Sequence, residues 1–372
     1  MRWSRRKLMT TAAGAGAAAA FGRVVQAAPN SSISAVAAPN FRALVGVFLF
    51  GGHDGWNMAV PLDGRYDAYR AARGRSLALP RQTLLPFADT AFGLHPSFAP
   101  LRNVTALDLV LNTGALKQPL TKALYLQRPD LRPASVMLHA EAETHWGREA
   151  DTITTLAQFT AATSGALFTA QETEPSPGAA LPVDYYFRQL ASGVAGQLHR
   201  AARMIACREM LGHHHQAFLV SQYGYDTHAE QVAENNPAKG RQAVLYTDLA
   251  QGLAAFNAAM NDLGLGANVT AFTMSEFGRS YKGNWDGGTE HAWGNNHLVL
   301  GGAATGQVVR GSYPMPVLGG PDDVVGDGRW LPSTSIEQYL APVARWYGVS
   351  EAHMATVFPN WATWNTSVSP LV

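Results

Sequence analysis

The sequence of 372 residues contains one cysteine, Cys207, so no disulfide can form within the chain. It is also poor in charge: Asp, Glu, Lys and Arg make up 15% of it, and 28 basic residues stand against 27 acidic ones. So even a balance supplies neither a basic footprint for nucleic acid nor an acidic field for cationic partners. No segment reaches the roughly 18 uninterrupted apolar residues that a membrane-spanning helix requires, which argues against a stable membrane anchor. Gly51-Gly52 does not extend into a phosphate-cradling loop, and no P-loop or dinucleotide fingerprint occurs. Nothing repeats along the chain.

What is present begins at the start. Ser4-Arg5-Arg6-Lys7-Leu8-Met9 precedes an Ala/Gly-rich stretch over residues 10–20, and Val25-Gln26-Ala27 follows as a small-residue cleavage pattern. A basic start, a weakly apolar middle and such a site describe a cleaved signal, and the paired arginines select the route for folded cargo. The reading is a twin-arginine signal peptide over residues 1–28, a Ser/Ala/Pro/Asn linker over 29–40 and a single domain over 41–372. Such a chain engages the twin-arginine translocase and works in the periplasm or is secreted. The mature part, about 340 residues, is long enough for one large core. Cys207, in a helical pattern, reads as a small buried hydrophobe.

Residues 43–50, Ala-Leu-Val-Gly-Val-Phe-Leu-Phe, form a continuous apolar run rich in β-formers and broken by Gly51-Gly52. Strands buried on both faces have this composition and belong mostly to parallel sheets. Similar runs follow at 107–112, 217–221 and 269–274, and a shorter one at 297–300 stops at Gly301-Gly302. Between them, Leu190, Val194, Leu198, Ala201 and Ile205 make one helical stripe, and Leu245, Leu249, Leu253, Phe256 and Met260 another. Thr334 and Glu337 fit a capping box before a last helix running to Trp346. Residues 163–180 and 311–329 read as surface loops. Strands alternating with helices predict an α/β fold with a mostly parallel central sheet and helices on both faces.

Ligands of an open parallel sheet bind beyond the carboxyl ends of its strands. Four polar clusters lie there: Gly51-Gly52-His53-Asp54-Gly55-Trp56-Asn57, Tyr223-Gly224-Tyr225-Asp226-Thr227-His228, Ser275-Glu276-Phe277-Gly278-Arg279, and Gly288-Thr289-Glu290-His291 running on to His297. Carboxylates and imidazoles from separate strand tips are the donors of a divalent-metal hydrolytic site. Zinc or manganese fits a mixture of the two, calcium or magnesium the carboxylates alone. Each cluster also has a plainer account. An Asp after Gly-Gly is turn chemistry, and a Glu at a strand end caps a helix or pairs with a neighbour such as Arg279. His213-His214-His215 is either a metal tract or the basic end of a helix. Trp56 and Trp293 either wall a pocket or pack around the strand tips.

These motifs carry a resemblance. The twin-arginine start, strand-GGHDGWN with Pro61-Leu62-Asp63 and Tyr66 after it, YDTH with Gln231, SEFGR, GTEHAWGNNH and a closing Val357-Phe358-Pro359 resemble the DUF1501 family of exported bacterial proteins over nearly all of the mature chain. That family is similar to the alkaline phosphatase and sulfatase superfamily, so the resemblance implies an alkaline-phosphatase-like fold with metals over the sheet. It casts Asp54, Asp226, His228, Glu276, His291 and His297 as ligands of a divalent metal ion. The superfamily has Asp-His where this chain has Glu276-Phe277, and its nucleophile has no clear counterpart; Thr113, after the strand at 107–112, is the best placed hydroxyl, although Thr-Gly is also turn chemistry. His139, Glu141 and His145 either complete the site or form a solvated helix start. The implied activity is hydrolysis of a small-molecule phosphate or sulfate ester. The alternative is a non-catalytic binding or assembly protein acting with an exported partner protein.

Overall fold

The apolar run at 43–50 is strand β1, Arg42–Phe50, buried at every residue after Arg42. Successive side chains leave a strand on opposite faces, so Val45, Val47 and Leu49 enter one core cluster while Leu44, Phe48 and Phe50 enter a second. A strand apolar on both faces has to be covered on both, which places β1 inside the sheet. The computed structural model describes residues 41–114, 156–163, 165–169, 181–234, 236–358 and 361–364, all within one compact unit, Ala38–Val372. The expected signal peptide and linker over 1–40, the His139/Glu141/His145 segment and Pro359 lie outside the described residues.

After β1 the strands are β2 (Ala59–Pro61), β3 (Leu85–Pro86), β4 (Phe92–Leu94), β5 (Leu107–Thr113), β6 (Ala166–Thr169), β7 (His215–Tyr223), β8 (Val269–Met274), β9 (Gly278–Gly283), β10 (Thr289–Ala292), β11 (Asn295–Gly301) and β12 (Val309–Arg310). Seven of them make the central sheet in the order β12-β5-β11-β8-β1-β7-β6. β1 runs parallel to β7 and β8, β6 to β7 and β12 to β5, whereas β11 is antiparallel to both its neighbours. The sheet is therefore mixed and mostly parallel. Since β11 runs against the rest, its first residues, Asn295 and Asn296, share an edge with the carboxyl ends of β1, β5, β7 and β8. β9 and β10 pair separately as an antiparallel hairpin beyond that edge.

Four longer helices matter for the site and its support: α1 (Tyr66–Leu77), α2 (Gly193–Ala206), α3 (Arg241–Asp262) and α4 (Ile336–Tyr347). Leu198, Ala201 and Ile205 of α2 and Leu249, Leu253 and Phe256 of α3 bury with Val45 and Val47, while Tyr339, Leu340 and Val343 of α4 bury with Leu44 and Phe48. Helices thus cover both faces, and each large apolar side chain so removed from water contributes roughly 2 kcal/mol before entropy is counted. No helix among the described residues is long and apolar enough to cross a membrane.

Three local expectations shift. The capping box of α4 uses Ser335 and Gln338, one residue beyond Thr334 and Glu337. Thr334 is instead held by backbone pairing at the end of β5, where it bridges Thr113 and its carbonyl accepts from Gly114 N–H at 2.8 Å. The stretch 163–180 contains strand β6, four residues adding a parallel edge to β7. Cys207 is only partly buried, at the C-cap of α2.

Candidate metal centre

The tip of β1 turns on Gly51 and Gly52, at φ 105° and 69°, backbone that favours glycine. The space also requires them: a Cβ on Gly51 would stand 2.2 Å from Asp226 N, and one on Gly52 2.2 Å from the Phe277 ring. The missing side chains let the segments after β1, β7 and β8 meet. Strain and overlap together predict that Gly51→Ala costs about 3 kcal/mol and displaces the Asp226 turn. Urea unfolding checks this, and a change under about 0.5 kcal/mol, ordinary for a harmless substitution, would refute it.

A buried guanidinium locks the meeting point. Arg279, at the start of β9, donates from Nε to Gly52 O at 2.8 Å, from Nη1 to Thr289 O at 2.9 Å, and from Nη2 to Tyr225 O at 3.1 Å, to Gly51 O and to Asp226 Oδ1. One side chain thereby joins the tips of β1 and β7 to β10.

Three ligand atoms converge beside it. Asp226 Oδ1 lies 3.2 Å from His228 Nε2 and 3.1 Å from His291 Nε2, and the two nitrogens are 3.0 Å apart. Asp226, His228 and His291 form a group of ligand atoms within 4.8 Å of one another. Donors that each bond one zinc-sized ion at about 2.0–2.1 Å stand about 2.9–3.4 Å from one another, from octahedral to tetrahedral. The observed triangle lies inside that range. Asp226 and His228 are 43% and 45% exposed at their side chains while His291 is 6% exposed, so the triangle opens on one side to solvent.

The protons fit a ligand site as well. His228 Nδ1 donates to Glu290 Oε2 at 2.9 Å, and with the proton on Nδ1 the Nε2 lone pair faces the triangle. A carboxylate behind a ligating imidazole is the usual outer partner of such a ligand. Glu290 is in turn held by Asn284, whose Nδ2 donates to Glu290 Oε1 and to His228 O, each at 2.7 Å. Burial opposes ionisation of Glu290, but the Asn284 bond and the His228 ring hold its pKa below the ordinary value. Burial likewise opposes the Asp226 carboxylate; hydrogen bonds from His291 and Arg279 and the charge of Arg279 outweigh it and keep Asp226 well below the usual carboxylate range. Burial lowers His291, and Asp226 only partly offsets this. The triangle therefore holds a carboxylate that favours ionisation and, in His291, an imidazole whose burial favours neutrality, states that metal binding requires.

The other expected ligands stand outside the triangle. Asp54 is fully buried; its Oδ2 pairs with Arg73 Nη2 and accepts from Gln231 Nε2 at 2.7 Å. Glu276 Oε1 accepts from Gly51 N–H at 2.7 Å and Oε2 from Ser275 Oγ at 3.1 Å. His297 stacks on Tyr339 with ring centroids 5.4 Å apart, and its Nδ1 lies 3.3 Å from Thr273 Oγ1. Thr113 is fully buried within the pairing of β5 with β11. His215 opens β7 and packs its ring against Tyr347, so the His213–His215 tract makes no ligand group among the described residues. Trp56 is fully buried with Nε1 donating to Arg279 O at 2.8 Å, and Trp293 is 4% exposed; both pack around the strand tips.

Residue patterning placed Glu290 in the fourth cluster without giving it this role, and it overlooked Arg73 and the part played by Arg279. Arg73 had a signal: it shares a helical stripe of α1 with Tyr66, Tyr69 and Leu77, all buried. Against known proteins, the sequence profile described as "Protein of unknown function (DUF1501)" matches residues 110–315, more than half of the chain. No curated protein matches it.

Proposed function

The chain belongs to the DUF1501 family, and on that premise we propose that it is an exported hydrolase of phosphate or sulfate esters, dependent on a divalent metal held by Asp226, His228 and His291. The observation that carries this reading is the triangle of donor atoms 3.0–3.2 Å apart with Glu290 behind His228. Two imidazoles among three donors suit zinc or manganese better than calcium or magnesium, which prefer oxygen. An ion bound there supplies charge and Lewis acidity toward an ester oxygen.

The chain's own groups divide the remaining work. Glu290 keeps the His228 lone pair aimed inward, and Asp226 brings the negative charge that draws a cation in. Arg279 fixes the Asp226 carboxylate and carries the charge that keeps it ionised. The half-exposed edges of Asp226 and His228 leave the approach for substrate and for water as nucleophile, since the Thr113 hydroxyl is fully buried. The likeness to the alkaline phosphatase and sulfatase superfamily, and export by the twin-arginine route from Arg5-Arg6, are parts of the same proposal. The buried Thr113 also favours a second reading, a binding or assembly protein that keeps the ion and lacks turnover.

Metal analysis of protein recovered from the periplasm, paired with aryl phosphate and aryl sulfate assays, separates the readings. We expect about one equivalent of zinc or manganese per chain, as a single three-donor site dictates. Metal and turnover should both vanish in Asp226→Ala/His228→Ala. Metal retained by the wild type without turnover on either ester selects the binding protein, and a wild type without metal overturns both.

A further inference from the structure

The two segments that carry the triangle are tied together by a side chain outside it. Gln231, fully buried in the segment after His228, accepts at Oε1 from Thr227 Oγ1 at 3.0 Å and from Thr289 Oγ1. Thr227 sits between Asp226 and His228, and Thr289 lies two residues before His291. The Gln231 amide thus reaches the backbone of all three proposed ligands through two hydroxyls. Its other end is fixed as well: Nε2 donates to Asp54 Oδ2 at 2.7 Å.

Asp54 is a firm anchor. Arg73 pairs with it through Nη2, while Arg73 Nη1 donates to Tyr281 O at 2.9 Å and Nε to Asn57 Oδ1 at 3.2 Å. The Asp54 carbonyl accepts from Tyr246 OH at 2.8 Å and from Gln242 Nε2 at 3.2 Å. This settles which way the Gln231 amide points. Asp54 Oδ2 is already an acceptor for the Arg73 guanidinium, so the NH2 group faces Asp54 and the oxygen faces both threonines, which then donate. No member of the chain Arg73–Asp54–Gln231–Thr227/Thr289 can reverse without leaving buried polar atoms unsatisfied.

Resting on the metal reading above, we propose that Gln231 is a positioning residue: it transmits the Arg73–Asp54 anchor to both ligand segments and sets the separation of Asp226 and His228 from His291. Metal bonds tolerate only about 0.2 Å of error in donor position, and outer partners of ligands typically account for about 10–100-fold in metal affinity. The two segments also share a direct backbone bond, Thr289 N–H to Thr227 O at 3.1 Å, and the Arg279 staple. Loss of the amide therefore loosens the triangle while the fold has other ties.

The test is zinc affinity, by competition with a chromophoric chelator, on the full folded chain well below its melting temperature. The visible spectrum of the cobalt-loaded protein is recorded in parallel. Wild type and His228→Ala come first, and if wild type binds no zinc or His228→Ala binds equally well, the metal reading fails and this inference falls with it. Given a wild-type site that His228→Ala abolishes, Gln231→Leu should keep one site per chain, bind zinc about 10–100-fold more weakly and shift the cobalt bands. Thr289→Val, which removes a single donor from the same oxygen, should move affinity in the same direction by less, and it decides the matter if Gln231→Leu does not fold. Affinities within about twofold of wild type and unchanged cobalt bands, with only the melting temperature lowered, would make Gln231 a purely structural residue and overturn the proposal.

Discussion

Replacing Arg279 by methionine will cost more than about 3 kcal/mol of stability, and lysine will not restore it. The guanidinium donates to four backbone carbonyls, those of Gly51, Gly52, Tyr225 and Thr289, all in buried residues. A buried acceptor stripped of its donor costs about 1–3 kcal/mol; the Tyr225 carbonyl keeps the Thr227 N–H at 2.7 Å, so the other three set the lower bound. Loss of the ion pair adds little, since the Asp226 carboxylate left behind is 43% exposed and can hydrate. Burial draws the Arg279 pKa down and Asp226 pushes it back, so the charge is retained where only a fixed planar fork can use it. Lysine offers three donors from one point and cannot span acceptors belonging to three strand tips. Urea unfolding of wild type, Arg279→Met and Arg279→Lys in chelator isolates the effect from metal binding. A loss under about 1 kcal/mol, no more than one ordinary hydrogen bond is worth, in either variant would show that the carbonyls find other donors.

The fold was legible where one signal dominates. β1, β5, β7 and β8 each read as a mostly apolar run ended by polar or glycine residues, because a strand buried on both faces favours apolar side chains along its length. Their tips were legible for the same reason, and the spacing of Asp226 and His228 in one turn brought both toward a common point. Distant pairings were not legible. Nothing local to Asp54 announces that Arg73 from α1 and Gln231 from beyond β7 will take its carboxylate. The place of Glu290 behind His228 was hidden by a different effect. Strict alternation along β10 would aim Glu290 and His291 to opposite faces, but the register shifts between Thr289 and His291. An irregularity of this kind re-aims side chains, and both residues end against His228. β6 was missed because four residues carry too short a pattern to stand out from a loop.

As pH falls from about 6.5 toward 4.5 the protein will lose stability because buried histidines stay neutral when folded. Burial pushes His53 down to about 3 and His95 down to about 3, and it holds His297 well below its ordinary value. For His53 the bond to Asn296 O favours the charged form and Arg279 opposes it, but burial dominates. The neutral ring is matched to its partners: Nε2 donates to Asn296 O at 2.8 Å and Nδ1 accepts from Asn295 Nδ2 at 3.1 Å. His95 Nδ1 accepts from Ser97 N–H at 3.1 Å, capping the short helix Pro96–Leu101. In the unfolded chain each ring takes a proton near pH 6.5, whereas in the folded chain it takes none until about pH 3. The unfolded state binds more protons throughout that window, so stability is lost as pH falls, by about 1.4 kcal/mol per unit for each histidine. At about pH 4.5, His53 and His95 together withdraw on the order of 5 kcal/mol, a large share of the 5–15 kcal/mol typical of a folded domain. Carboxylates enter later: the depressed pKa of Asp226 gives stability that is lost only below about pH 4. Urea unfolding followed down this pH range, in chelator, gives the slope. His95→Asn supplies an Oδ1 for Ser97 N–H and cannot titrate, so its slope should be shallower by about 1.4 kcal/mol per unit. An unchanged slope would mean that His95 takes up its proton inside the folded protein, against the burial that defines its place.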